Sequence, residues 1–158
     1  MSRRELRWQS IDEAVVDARL LHEHGYDRLN KWNLVQNVGH LTLALIGSME
    51  GQIDGNKFSA PKVVQWIVLA LGEKKRVYAK RRLRNGLPAP KFIIPAPQSD
   101  RDAEAAAIAE YADAVRRYRS FTGDLAPHPA FGRVTREEWD EFHVIHAMHH
   151  LSWLVPKS

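Results

Sequence analysis

At 158 residues, with 44% hydrophobic and 27% charged side chains, the chain has ordinary globular composition and reads as one domain over 1–158, large enough to bury its own core. It has no cysteine, which excludes disulfides, thiolate ligands and a cysteine nucleophile and leaves His, Asp and Glu as donors for any metal. The net charge of +4 is mildly basic, no apolar run follows the arginines of MSRRELRWQS, and the longest apolar stretch, VVQWIVLALG, is about half a bilayer span; the expectation is a soluble, cytoplasmic protein without secretory signal or membrane segment.

Ser10 and Glu13 have capping-box spacing, and Ile11, Ala14, Val15, Ala18 and Leu21 recur at helical period up to Gly25, which predicts a first helix. A second opens on Asn33 as N-cap and runs about four turns to Gly51. SAPKVVQWIVLALGEKKRVYAKRR predicts a further helix with Pro61 near its start and Gly72 as a weak point. Residues 83–98 contain four prolines and predict a long loop laid across the body, with Phe92, Ile93 and Ile94 seeking burial. An alanine-rich helix capped at Ser99 follows, with Ile108, Tyr111, Ala112, Val115 and Tyr118 on one stripe. Thr135 and Glu138 then cap a last helix predicted to run to Pro156. Nothing reads as a strand hairpin, so the expected fold is all-α: a four-helix bundle whose central crossover carries an extra helix and a Pro-rich loop.

Four of the eight histidines fall within residues 143–150. At about 100° per residue, His143, His146 and His150 share an arc of roughly 60°, with His149 roughly 60° beyond it. Trp139 and Trp153 continue that stripe, which turns the histidines toward neighbouring helices. Buried imidazoles need partners, and His146 and His150, at i and i+4, can share an ion. His40, mid-way along the second helix, is the internal histidine available as a third ligand; Gln36 lies one turn before it, and Ala44 and Gly47 are small enough to leave room beside an ion. Three imidazoles without a fourth protein ligand describe a catalytic-type site with an open position. His143 reads as a core-edge imidazole or a partner behind the ligands. His22 and His24 read as surface residues at a helix C-terminus, and His128 as a loop residue, structural or on a pocket rim.

WNLVQNVGHL in the second helix together with HAMHHLSWL in the last resembles the DinB/YfiT-like metalloenzyme superfamily, with its Trp-x-x-x-Gln-x-x-x-His-Leu and His-x-x-x-His motifs. HPAFGRVTREEW and the histidines after it further resemble one branch known only as a domain of unknown function. The resemblance covers nearly the whole chain and implies a DinB-like four-helix bundle of up-down-down-up course, often a homodimer, holding zinc, nickel or a similar divalent ion on His40, His146 and His150. Leu151, Ser152 and Trp153 stand where better-known members carry Arg-Gly-Gln, so substrate contacts differ, and the segment near 61–98 is extra.

An open position lets a divalent ion lower the pKa of a bound water or take a substrate thiolate as fourth ligand. Characterised relatives are thiol-dependent, so a transferase acting with a low-molecular-weight thiol cosubstrate on a small molecule is the leading expectation by analogy, ahead of metal-dependent hydrolysis. Neither ligand motif carries an Asp or Glu as general base, so proton transfer falls to His143, His149 or a bound hydroxide. Two non-enzymatic readings stand beside these. EKKRVYAKRRLR, with seven Lys or Arg and Tyr78, could contact nucleic acid, but a solvated helix end is favoured because no recognised motif accompanies it. Alternatively, the ion only stabilises the bundle.

Overall fold

A computed structural model describes residues 2–86 and 89–157. Among them are six α-helices and a few short strands, so the chain is mostly helical. Helix α1 spans Asp12–His24 and buries Ala14, Val15, Ala18 and Leu21, the stripe its sequence period sets out. The Glu13 carboxylate accepts from the N–H groups of Gln9 and Ser10 at 2.7 and 3.0 Å, while the Ser10 hydroxyl accepts from Asp12 N–H, so only half of the predicted capping box forms. Helix α2, Leu34–Glu50, has the full box between Asn33 and Gln36 and ends on Gly51 in the left-handed region, as its sequence signals require.

Long helices α5 (Arg101–Ser120) and α6 (Arg136–Leu151) complete the body: α1 and α2 touch each other and both pack on α5 and α6. Their apolar faces join one buried cluster in which Leu21, Leu34, Leu45, Tyr111, Trp139 and Leu151 are fully enclosed, each aliphatic side chain contributing about 1.5–3 kcal/mol. The N-cap of α5 is Asp100, which accepts from Ala103 N–H, and not Ser99 as predicted; both residues can cap, and the carboxylate also complements the helix dipole.

The chain is mostly helical, as expected, with short strands added that no alternation in the sequence announces. Helix α6 stops at Leu151, short of Pro156, because Leu154–Pro156 (β4) pairs antiparallel with Tyr26–Arg28 (β1) and buries Leu154 completely. Between them Leu29 N–H donates to Trp153 O, so the segment leading into α2 is tied to the end of α6. A second pair, Gln52–Ile53 (β2) with Asn56–Lys57 (β3), turns at Asp54-Gly55, both at positive φ, the residues a tight hairpin turn demands.

The predicted helix of the crossover is two helices, α3 (Lys62–Ala70) and α4 (Glu73–Lys80), broken where Gly72 takes φ 69°. Helix α4 is fastened to α6 by Lys74 to Glu138, Arg81 to Glu141 and the Tyr78 hydroxyl to Glu138 O. The Pro-rich loop contains a 3-10 turn at Lys91–Ile93 that buries Ile93; positions 87 and 88 of that loop lie outside the described residues. No helix among the described residues is long and apolar enough to cross a membrane.

Gly47 does not leave space beside an ion as its size suggested: a Cβ there would lie 2.6–2.8 Å from the Phe58 ring, so the glycine makes room for an aromatic side chain of the core. Alanine in an unobstructed helix interior stabilises by about 0.5–1 kcal/mol relative to glycine. Gly47→Ala is expected to do the opposite, costing about 1–3 kcal/mol in urea unfolding through overpacking, and Phe58→Leu in the same chain should recover part of that loss.

Candidate metal centre

Helices α2 and α6 bring His40, His146 and His150 together. The Nε2 atoms of His40 and His146 are 3.1 Å apart and those of His146 and His150 3.0 Å, and one ligand atom from each ring lies within 4.8 Å of the others, so the three can hold a metal ion. Their partners on the far side set the protonation pattern. His40 Nδ1 lies 2.8 Å from Ile93 O; a carbonyl only accepts, so Nδ1 carries the proton and Nε2 presents its lone pair. His150 Nδ1 lies 3.2 Å from Asn37 Oδ1, and the Asn37 amide is oriented by Nδ2 donating to Asn33 O at 2.9 Å, so His150 is placed in the same tautomer.

These two lone pairs converge on a third ring that supplies at most one Nε2–H between them. His146 Nδ1 is buried without a partner among the described residues. Three rings in this arrangement cannot satisfy one another by hydrogen bonds, and an unmatched buried acceptor is costly. A divalent cation satisfies all three lone pairs. Metal–nitrogen bonds of about 2.0–2.1 Å place neighbouring ligand nitrogens roughly 2.9–3.4 Å apart, a range that holds both the His40–His146 and the His146–His150 spacing. The residues therefore fit a nitrogen-binding divalent ion, with no Asp or Glu in the group.

Burial pushes all three imidazoles below the ordinary histidine pKa; for His146 and His150 the neighbouring imidazoles add to a large shift. They are neutral, the form that binds metal, at pH 7. Trp32 lies parallel to His150, with ring centres 5.3 Å apart, and edge-on to His40. Gly39 lets the Pro95 ring approach α2, and the Gln36 amide bridges Asn33 N–H to Pro95 O, so the crossover lies against the helix that carries His40.

The other predicted histidines stand elsewhere. His143 is 2% exposed, stacks on Trp139 and meets Tyr118 edge-on. Its Nε2 faces Ser48 Oγ at 3.1 Å; that hydroxyl donates to Leu45 O, so His143 is the donor. His149 lies at the margin, its ring centre 5.1 Å from that of His150, beside a groove of about 450 Å³ lined by Arg3, Leu6, Arg82 and Met148 among others. Arg3 donates to His149 Nδ1 and to its carbonyl, so the proton of the neutral ring is on Nε2. Burial and the Arg3 charge hold this histidine down at about 4. His128 is structural: Nδ1 accepts from Ala130 and Phe131 N–H, and the ring stacks on Phe131. His22 is not merely a surface residue, because Nδ1 pairs with the buried Glu104 carboxylate, while His24 is exposed.

Asn37, Trp32 and the Ile93 carbonyl complete the surroundings of the three rings. Asn37 is signalled in the sequence only by its position one turn before His40, where a polar residue on a buried face needs a partner. The carbonyl, a main-chain group of the crossover, has no sequence signal at all.

One family model, described as a protein of unknown function (DUF1569), matches residues 1–157. No curated protein and no solved structure matches the chain.

His128 and His143, buried neutral and held at about 3, titrate near 6.5 once unfolded. On acidification the unfolded chain takes up these protons first, so their contribution is fully present above pH 6.5 and is lost as pH falls toward 3. The melting temperature of the metal-free protein is expected to be flat from pH 7 to 8 and to decline between about 6.5 and 5, above the carboxylate range. A constant melting temperature across that window would show that these rings are not buried as neutral groups.

Proposed function

This chain belongs to the DUF1569 family of proteins of unknown function, and we propose that it is a metal-dependent enzyme. In this reading residues 1–158 form one domain, a DinB-like four-helix bundle of α1, α2, α5 and α6 in up-down-down-up course, with zinc or nickel held by His40, His146 and His150. The observation that carries it is the convergence of three Nε2 atoms, two of them in a tautomer that leaves the lone pair free.

A bound divalent ion supplies Lewis acidity and leaves a position for substrate, because three protein ligands do not complete its coordination. A transferase acting with a low-molecular-weight thiol is favoured over hydrolysis of a small substrate, since no carboxylate stands in the ligand group to serve a water nucleophile as base. The protein's own part is to hold the rings: Ile93 O and Asn37 orient two ligands, Trp32 excludes water from one side, and burial keeps all three neutral. Of the two histidines assigned to proton handling, His149 has the access. His143 spends its Nε2 proton on Ser48 within an aromatic enclosure, whereas His149 borders both the groove and His150.

Elemental analysis of untagged protein tests the site. Wild type is expected to carry about one ion per chain and His40→Ala and His150→Ala none; no metal in any sample after reconstitution would reduce the cluster to core packing. Asn37→Leu is expected to weaken metal affinity about 10–100-fold, while Asn37→Asp, which keeps an acceptor for His150, retains it. With cobalt as probe, a thiol-induced charge-transfer absorption supports the thiol reading; its absence, with metal-dependent ester hydrolysis, favours the hydrolase.

A further inference from the structure

Helix α3 is amphipathic in the wrong sense for a protein surface. None of its residues is buried, and Val63, Trp66, Ile67 and Leu69, with Val64 beside them and Leu71 just past the end, are exposed; Trp66 and Leu71 reach 71% and 72%. On a helical projection these six side chains and Ala70 cover an arc of roughly 220°. The opposite side holds Val68, packed on the core, and Gln65, whose amide donates to Ala60 O. Its one interior polar residue thus faces the body, and its apolar residues other than Val68 face outward, an exposed patch of the kind that marks an interaction site.

The flanks of this helix are cationic. Residues 62–84 hold eight Lys or Arg against the single Glu73. Lys74, Arg76, Arg81 and Arg84 are paired with Glu138, Glu73, Glu141 and Glu73. Lys62, Lys75, Lys80 and Arg82 are in no ion pair among the described residues, and all four are exposed. Lys62 and Lys75 bracket the apolar run within one turn of each end.

We propose that α3 and the cationic residues around it dock the protein on an anionic lipid surface. The helix, about 14 Å long, lies in the plane of the headgroups with its outward face in the acyl boundary, and Lys62 and Lys75 at its two ends reach the lipid phosphates. Charge decides between this occupant and the others. A second copy seated symmetrically through α3 would set two strongly cationic segments against each other. A nucleic acid would use the cations and leave the apolar arc in water.

Sedimentation of the full chain with phosphatidylcholine vesicles, with and without phosphatidylglycerol, tests this. Binding to the anionic vesicles and a blue shift of tryptophan emission are expected, both lost in Ile67→Glu. Lys62→Gln and Lys75→Gln should each weaken binding about fivefold, with unchanged circular dichroism in every variant. Failure to bind vesicles overturns the proposal, and so does equal binding to both vesicle types. Without vesicle binding, a dimer in light scattering that Ile67→Glu dissolves assigns α3 to a second copy. DNA binding untouched by Ile67→Glu assigns the cations to nucleic acid.

Discussion

Two hydrogen bonds on the outer edges of His40 and His150 determine what the seam between α2 and α6 can be. Each fixes a proton on Nδ1 and turns a lone pair toward His146. Had either ring met a donor at Nδ1, its Nε2–H would point inward and three imidazoles could close with fewer unmatched groups. The acceptors come from different places: one is a main-chain carbonyl of the crossover, the other an amide on the same helix as His40, itself held by the N-terminal turn of α2. His40 is therefore oriented by an element outside the seam, and His150 by a residue that reaches it across the seam from α2. The exception is His146, whose Nδ1 has no partner among the described residues and whose ring is placed by packing beside Phe142.

The same constraint explains the path of the chain around the site. For Ile93 O to reach His40, the loop must pass close to α2, and it does so over Gly39, where a Cβ would lie 2.7 Å from the Pro95 ring. For Trp32 to cover His150, the start of α2 must meet the end of α6, and the β1–β4 pair with the Leu29 to Trp153 bond holds those two ends together. The small sheet is thus part of what positions the site, although it contributes no residue to it.

Local signals made the helices and the histidine trio legible, and non-local pairings hid the rest. Asn33 with Gln36, and Thr135 with Glu138, are caps formed within four residues, so α2 and the start of α6 could be placed from sequence. The face shared by His143, His146 and His150 follows from helical period alone. Strands β1 and β4 are three residues each and more than a hundred residues apart, with no alternation to announce them. The hairpin did have a signal, Asp54-Gly55, lost because two-residue strands carry too few side chains to show a pattern. Gly47 misled because a small residue says only that something comes close, not what; here it is Phe58.

The connection from α2 to α5 joins the two regions whose chemistry is least like ordinary protein surface or core. Its first half holds α3, apolar outward, and α4, bound to α6 through ion pairs and the Tyr78 bond. Its second half supplies the acceptor that sets the tautomer of His40. Ion pairs at partly exposed positions contribute little each, so α4 is held less firmly than the buried helices. The Ile93 bond is different in kind: it is buried, and losing it leaves both a carbonyl and an imidazole unmatched. The crossover is thus pinned hardest where it bonds His40 and most weakly where it carries the exposed helix. A load placed on α3 is more easily taken up by rearrangement of α3 and α4 than by displacement of Ile93 from His40.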